Sequence, residues 1–135
     1  MNHLSTDSKT ENTSDSVLID INVQEEAAYH HTYMDVRFVM DTIREGNVAE
    51  INERGDALFE RAGVLSKNKF NDQRNLAIVT TTIATREAIA GGVSPAEAYK
   101  LSDLLINQID SCTKIEEVVE LSHKSLYQFT KLVAD

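Results

Sequence analysis

The residues with the clearest capacity for chemistry are two adjacent histidines, His30 and His31, which closely follow Glu25 and Glu26. A glutamate and a histidine four positions apart on a helix lie on one face, where carboxylate and imidazole groups could bind a zinc ion together. A protein zinc site needs at least a third ligand at a fixed spacing, and the other histidines are distant in sequence. We therefore predict no metal site and interpret the two histidines as residues at the start of a helix.

The sequence shows no pattern typical of a catalytic nucleophile or a phosphate-binding loop. No serine has the glycine-flanked context of a nucleophile elbow, and Gly91-Gly92 lacks the phosphate-loop pattern and its lysine. Cys112 is the only cysteine, which excludes an internal disulfide and agrees with a reducing cytoplasm. Lys114 would favour a thiolate there, but Asp110 and Glu116 oppose it. We predict a half-buried structural thiol, no catalytic residue, no cofactor, no enzyme activity and a cytoplasmic location.

The chain is acidic, with 22 Asp and Glu residues against 13 Lys and Arg and a net charge of −9. Affinity for nucleic acid comes largely from Lys and Arg, which displace counterions from phosphates, so this balance predicts no direct nucleic-acid binding. Residues 1–31 hold six acids and one lysine and contribute −5 of that net charge. No apolar run approaches the roughly 18 residues of a membrane-spanning helix, which predicts no membrane span.

The first 28 residues differ in composition from the rest of the chain. Residues 1–16 are rich in Ser, Thr, Asn and Asp, so they cannot bury enough apolar surface to offset the entropy that is lost on ordering. Val17–Val23 alternates in part and is β-branched, which is typical of a short strand. We predict that residues 1–28 form a disordered acidic tail with an extended segment at 17–23. This segment is an arm on the helical domain, an edge strand added to another subunit, or the remnant of a preceding β-domain.

Residues 29–135 are predicted to form one helical domain. Apolar residues recur there at helical spacing, and Gly, Asn, Ser and Pro mark where helices end and begin. The expected helices are about Tyr33–Glu45, a second helix capped by Asn47 that includes Leu58 and Phe59, about Asp72–Ala90 after a loop at 63–70, Pro95 to about Asp110, and a last helix capped by Thr113. The predicted fold class is therefore all-α, a compact bundle of about five short helices.

The joint between the third and fourth helices has the spacing of a helix-turn-helix. Gly91-Gly92 ends one helix, and Ser94 and Pro95 suit the N-cap and the first position of the next. In a DNA-binding unit the exposed first turn of that second helix carries Arg, Lys, Asn or Gln, which bind bases and phosphates. Residues 95–99 read Pro-Ala-Glu-Ala-Tyr, with one cation, Lys100, directly after them. This composition favours an ordinary capped helical hairpin over a DNA-reading helix.

Two further sets of residues are candidates for binding. Thr80, Thr81 and Thr82 either fill a tight seam between helices, where hydroxyls donate to carbonyls one turn earlier, or line a pocket for a small-molecule effector; we favour the seam. Apolar residues of the fourth and last helices extend beyond a single stripe, which predicts a surface for self-association or for a helical protein partner. The candidate interface residues are Tyr99, Leu104, Ile106, Leu126, Phe129, Leu132 and Val133.

Several short motifs occur together in the helical domain. They are His30-His31-x-Tyr33, the helix end Ile43–Val48, Asn75–Val79, Ala84-Thr85-Arg86-x-Ala88-Ile89-x-Gly91-Gly92, and Ser94-Pro95-x-x-Ala98-Tyr99-x-Leu101-Ser102-Asp103. Together they resemble the helical segment that precedes the DNA-binding domain in AraC-type transcription regulators of Firmicutes, from about residue 29 to the C-terminus. The family's two helix-turn-helix units follow that segment and are absent here. The resemblance therefore implies a regulatory role, and no residue of this chain is expected to inherit a DNA contact.

Two functions remain open at this point. In the first, the chain is a non-enzymatic regulatory and dimerisation segment of the AraC type, which changes the spacing or orientation of attached DNA-binding units when it self-associates or binds an effector. In the second, it is a stand-alone helical adaptor that binds a protein partner. A dimer would favour the first function, and a strict monomer would favour the second.

Overall fold

The computed structural model describes residues 8–54 and 67–135, with the backbone alone at 8–16 and 29–32. Over these residues the regular structure is entirely helical, and no strand occurs. The helices are α1 (Ser8–Glu45), α2 (Val48–Arg54), α3 (Lys69–Ala90), α4 (Pro95–Asp110) and α5 (Ile115–Ala134). The all-α fold class predicted from the sequence is confirmed. The chain divides into two compact units, Met1–Met34 and Asp35–Asp135.

In the first unit, the segment 17–23 is helical and lies within α1. The predicted extended conformation is wrong, because a partial alternation over so few residues does not separate a strand from a helix. A helix also pairs the backbone groups for which a lone strand has no partner. Helix α1 takes in the predicted tail from Ser8 onward, whereas residues 1–7 lie outside the described residues. Five large aliphatic side chains of this segment are between 45% and 61% exposed: Val17, Leu18, Ile19, Ile21 and Val23.

The second unit has a core of mostly aliphatic side chains. Helix α3 packs mainly against α5 and α4, and its alanines at 77, 84 and 88 are fully buried. Such small residues allow the helix axes to approach closely. The largest fully buried apolar side chains are Val39 and Ile43 of α1, Leu105 and Ile109 of α4, and Val118 and Phe129 of α5. The core therefore joins the C-terminal part of α1 to the other helices of this unit.

Hydroxyl groups fill the contact between α3 and α5. The Thr81 hydroxyl donates to the Ala77 carbonyl oxygen at 2.8 Å, and its oxygen lies 3.0 Å from the Ser125 hydroxyl oxygen. Thr85 donates to the carbonyl of Thr81. These three side chains are buried, so their hydroxyls are satisfied inside the helix packing, as in the seam interpretation.

Side-chain caps begin several of the helices. The predicted caps at Asn47 and Ser94 are confirmed, because their side-chain oxygens accept from the N–H groups of Glu50 and Glu97, each at 3.2 Å. Helix α3 begins at Lys69 rather than near residue 72, since Asn68 caps it. The N-cap of α5 is Lys114 rather than residue 113. The predicted positions of Leu58 and Phe59, and of the loop through residue 66, lie outside the described residues.

Two glycines bring the ends of α1, α3 and α5 close together. At Gly46, which follows α1 with φ +70°, an added Cβ would come within 2.9 Å of the Ala134 nitrogen. At Gly91, the C-cap of α3, a Cβ would overlap the Arg44 carbonyl oxygen and come within 2.9 Å of Val133 Cγ1. The three helix ends can therefore meet only where these side chains are missing.

Candidate interaction surface

A surface groove runs between α4 and α5 and consists of two concavities of about 580 and 320 Å³. Leu104 of α4 lines both of them, so the two concavities meet at this side chain. The first is also lined by Asn107, Gln108, Ser111, Cys112, Glu117, Glu120, Leu121 and Lys124. The second is also lined by Leu101, Gln128, Lys131, Leu132 and Asp135. We call the whole feature the α4–α5 groove.

The second concavity is mainly apolar. Leu101 and Leu132 are half-buried and pack against the core, and Leu104 between them is 55% exposed. The charged groups there are Lys131 and Asp135, whose Nζ and Oδ1 atoms are 4.0 Å apart. An ion pair this long and this exposed contributes little to stability. The concavity is therefore a leucine surface with charges at its edge.

Cys112 lies in the more polar first concavity and is half-buried, as predicted. Its thiol donates to the Gln108 carbonyl oxygen at 3.3 Å. Burial, and then the negative charge of Glu117, raise the pKa of the Cys112 thiol above its ordinary value. Both effects disfavour the thiolate, which is the form of cysteine that acts as a nucleophile and as a metal ligand.

Glu117 has a structural role at the same end of the groove. Its Oε1 atom accepts from the backbone N–H groups of Thr113 and Lys114, each at 3.0 Å. These two hydrogen bonds lower the pKa of the Glu117 carboxyl below its ordinary value. The charge of Glu117 is thus directed at the first turn of α5, where a helix N-terminus favours an anion.

The structure separates the seven predicted interface residues into three groups. Tyr99 and Leu104 are 52% and 55% exposed. Leu126 and Phe129 are core residues, 3% and 0% exposed, and this corrects their placement on an assembly surface. Helix α5 packs against α2, α3 and α4, so its apolar stripe is covered within the chain. The other three are half-buried: Ile106, Leu132 and Val133.

The three predicted pocket residues are also divided. Thr80 is 5% exposed and Thr81 is fully buried, with the hydroxyl of Thr81 engaged in the α3–α5 contact. Thr82 is exposed, and its hydroxyl donates to the Ile78 carbonyl oxygen at 2.9 Å. These residues therefore face in different directions, and none of them lines the α4–α5 groove.

Four charged side chains join the C-terminal part of α1 to α3. Arg37 and Arg44 place Nη2 atoms 2.8 and 2.6 Å from Oδ1 of Asp41. The same arginines flank Glu87 of α3, with N to O distances of 3.9 and 3.6 Å. The Glu87 side chain is 16% exposed, and the charge of its carboxylate is compensated by the two guanidinium groups. Removing either partner would leave a partly buried charge, so we interpret the cluster as structural.

Sequence reasoning missed two apolar features. The aliphatic residues of segment 17–23 were assigned to a strand. They instead lie within the long helix α1, and their side chains are exposed. The groove itself was also missed. Its signal is the pair Leu104-Leu105, because two adjacent leucines on a helix cannot both face the same core. Leu105 is fully buried and Leu104 is exposed.

Residues 8–54 and 67–135 contain neither a metal-binding cluster nor a membrane-spanning helix. In that part of the chain no group of three or more His, Cys, Asp and Glu side chains could hold a metal ion. The side chains of His30 and His31 lie outside the described residues. None of the described helices combines the length and the apolar character needed to cross a bilayer.

Comparison with known proteins yields no relative on which a function could rest. No protein-family model, no curated protein and no solved structure matches the chain. The function is therefore argued from the exposed surfaces themselves.

Proposed function

We propose that this chain is a non-enzymatic regulatory and dimerisation segment, similar to the one that precedes the DNA-binding units of AraC-type transcription regulators. The observation that carries the proposal is Leu104, a leucine that is 55% exposed at the meeting point of the two groove concavities. Leu104 forms an apolar surface with Leu101 and Leu132, and an exposed apolar surface is typical of a protein-binding site. The net charge of −9 fits a segment that contacts protein rather than nucleic acid.

Self-association would provide the regulatory mechanism. Two copies joined through this surface hold whatever is attached to them at a fixed distance, so assembly changes the spacing of attached DNA-binding units. The first concavity, of about 580 Å³, falls in the volume range of small-molecule sites. An effector bound there would contact both α4 and α5, and it would thereby alter the surface on which the copies meet.

The test is the solution mass of the purified chain, measured by light scattering over a concentration series. We expect a dimer that dissociates on dilution. Leu104→Glu should shift the midpoint to higher concentration, because the interface would then bury an unpaired carboxylate. Val79 of α3 is a matched control, since it is 46% exposed and lies outside the groove. Val79→Glu should leave the mass unchanged, and a wild-type monomer at every concentration would contradict the proposal.

The alternative function is a helical adaptor that uses the same groove for a different protein. Tyr99 of α4 lies outside the groove but is 52% exposed, and it would extend the contact with such a partner, because aromatic residues are enriched at protein interfaces. The two functions differ in a simple observation. A strict monomer whose Leu104→Glu variant has unchanged mass and unchanged stability would favour the adaptor.

A further inference from the structure

We draw no further inference here: the strongest candidate, the apolar α4–α5 groove around the exposed Leu104, belongs to the surface already described, and nothing in the structure shows what covers it.

Discussion

Gly91→Ala tests how closely the ends of α1, α3 and α5 approach one another. The glycine has φ −82°, a conformation that alanine adopts freely. The new Cβ would, however, overlap the carbonyl oxygen of Arg44 and come within 2.9 Å of Val133 Cγ1. The side chain of Val133 can rotate, but the main chain of α1 cannot. The ends of α1 and α3 must therefore separate.

The magnitude follows from two opposing contributions. Overpacking of this kind costs about 1–3 kcal/mol. Replacing glycine by alanine at a permitted φ gains about 0.4–1 kcal/mol through the unfolded chain. Taking the middle of each range, we expect Gly91→Ala to lower the free energy of unfolding by about 1 kcal/mol. Each 1 kcal/mol lowers Tm by roughly 4–8 °C in a domain of this size.

Gly92 provides the matched control, because a side chain at this position is destabilising for a different reason. Its φ is +114°, and a Cβ there would meet nothing within 4 Å. Gly92→Ala should cost about 1–3 kcal/mol through backbone strain alone. A larger side chain should add little, so Gly92→Leu should resemble Gly92→Ala. At Gly91, by contrast, leucine should be much more destabilising than alanine, because the site has no space.

The assay is thermal and urea unfolding of the four variants, followed by circular dichroism. A Gly91→Ala protein that is as stable as the wild type would refute the close approach of Arg44 to α3. Equal costs for alanine and leucine at Gly91 would refute it as well. If leucine exceeded alanine in its destabilising effect by the same amount at both positions, the two glycines would not differ in the space around them.

Three smaller changes test a helix cap, the α3–α5 seam and an acidic group. Ser94→Ala should lower the free energy of unfolding by about 1 kcal/mol, with Ser94→Asp as the control that still caps; an unchanged urea midpoint would contradict the cap. Thr81→Val should cost about 1–3 kcal/mol, because the Ser125 hydroxyl loses a buried partner. Ser125→Ala should then cost less stability in the Thr81→Val variant than in the wild type. Equal costs in the two backgrounds would show that the two hydroxyls do not interact. The pKa of Glu117 is lowered in the folded state by hydrogen bonds from two backbone N–H groups, so its stabilising effect is present above its ordinary, unfolded pKa and is lost as pH falls through the folded value. Glu117→Gln should therefore lose less Tm on acidification than the wild type, and parallel Tm curves would argue against this.

Local features of the fold could be predicted from the sequence because their partners are near in the chain. Ser94 accepts from an N–H three residues later, and Pro95 is the first residue of α4, so this helix start is encoded within one turn. The start of α5 was one residue in error. Both Thr113 with Glu116 and Lys114 with Glu117 have the required spacing, and only the folded geometry shows that Glu117 reaches back to the two backbone N–H groups.

The division of apolar residues between core and surface could not be predicted in the same way. Phe129 and Leu104 have the same helical periodicity signal, yet one is fully buried and the other is 55% exposed. The difference depends on which helices lie beside α4 and α5, and such contacts join residues far apart in sequence. Segment 17–23 presents the same difficulty at the level of secondary structure. Its short apolar pattern fits a strand or a helix, and its place in a 38-residue helix resolves the choice.

The motif residues that carry the family resemblance are mainly structural. Ala84, Thr85 and Ala88 are 0–1% exposed, Gly91 makes room for α1, and Ser94 caps α4. Residues of this kind form a helical joint within the chain. The motif ends at residue 103, immediately before Leu104, so it does not include the side chain at which the two groove concavities meet. These residues therefore account for the helical joint, whereas the proposed function depends on what the groove binds.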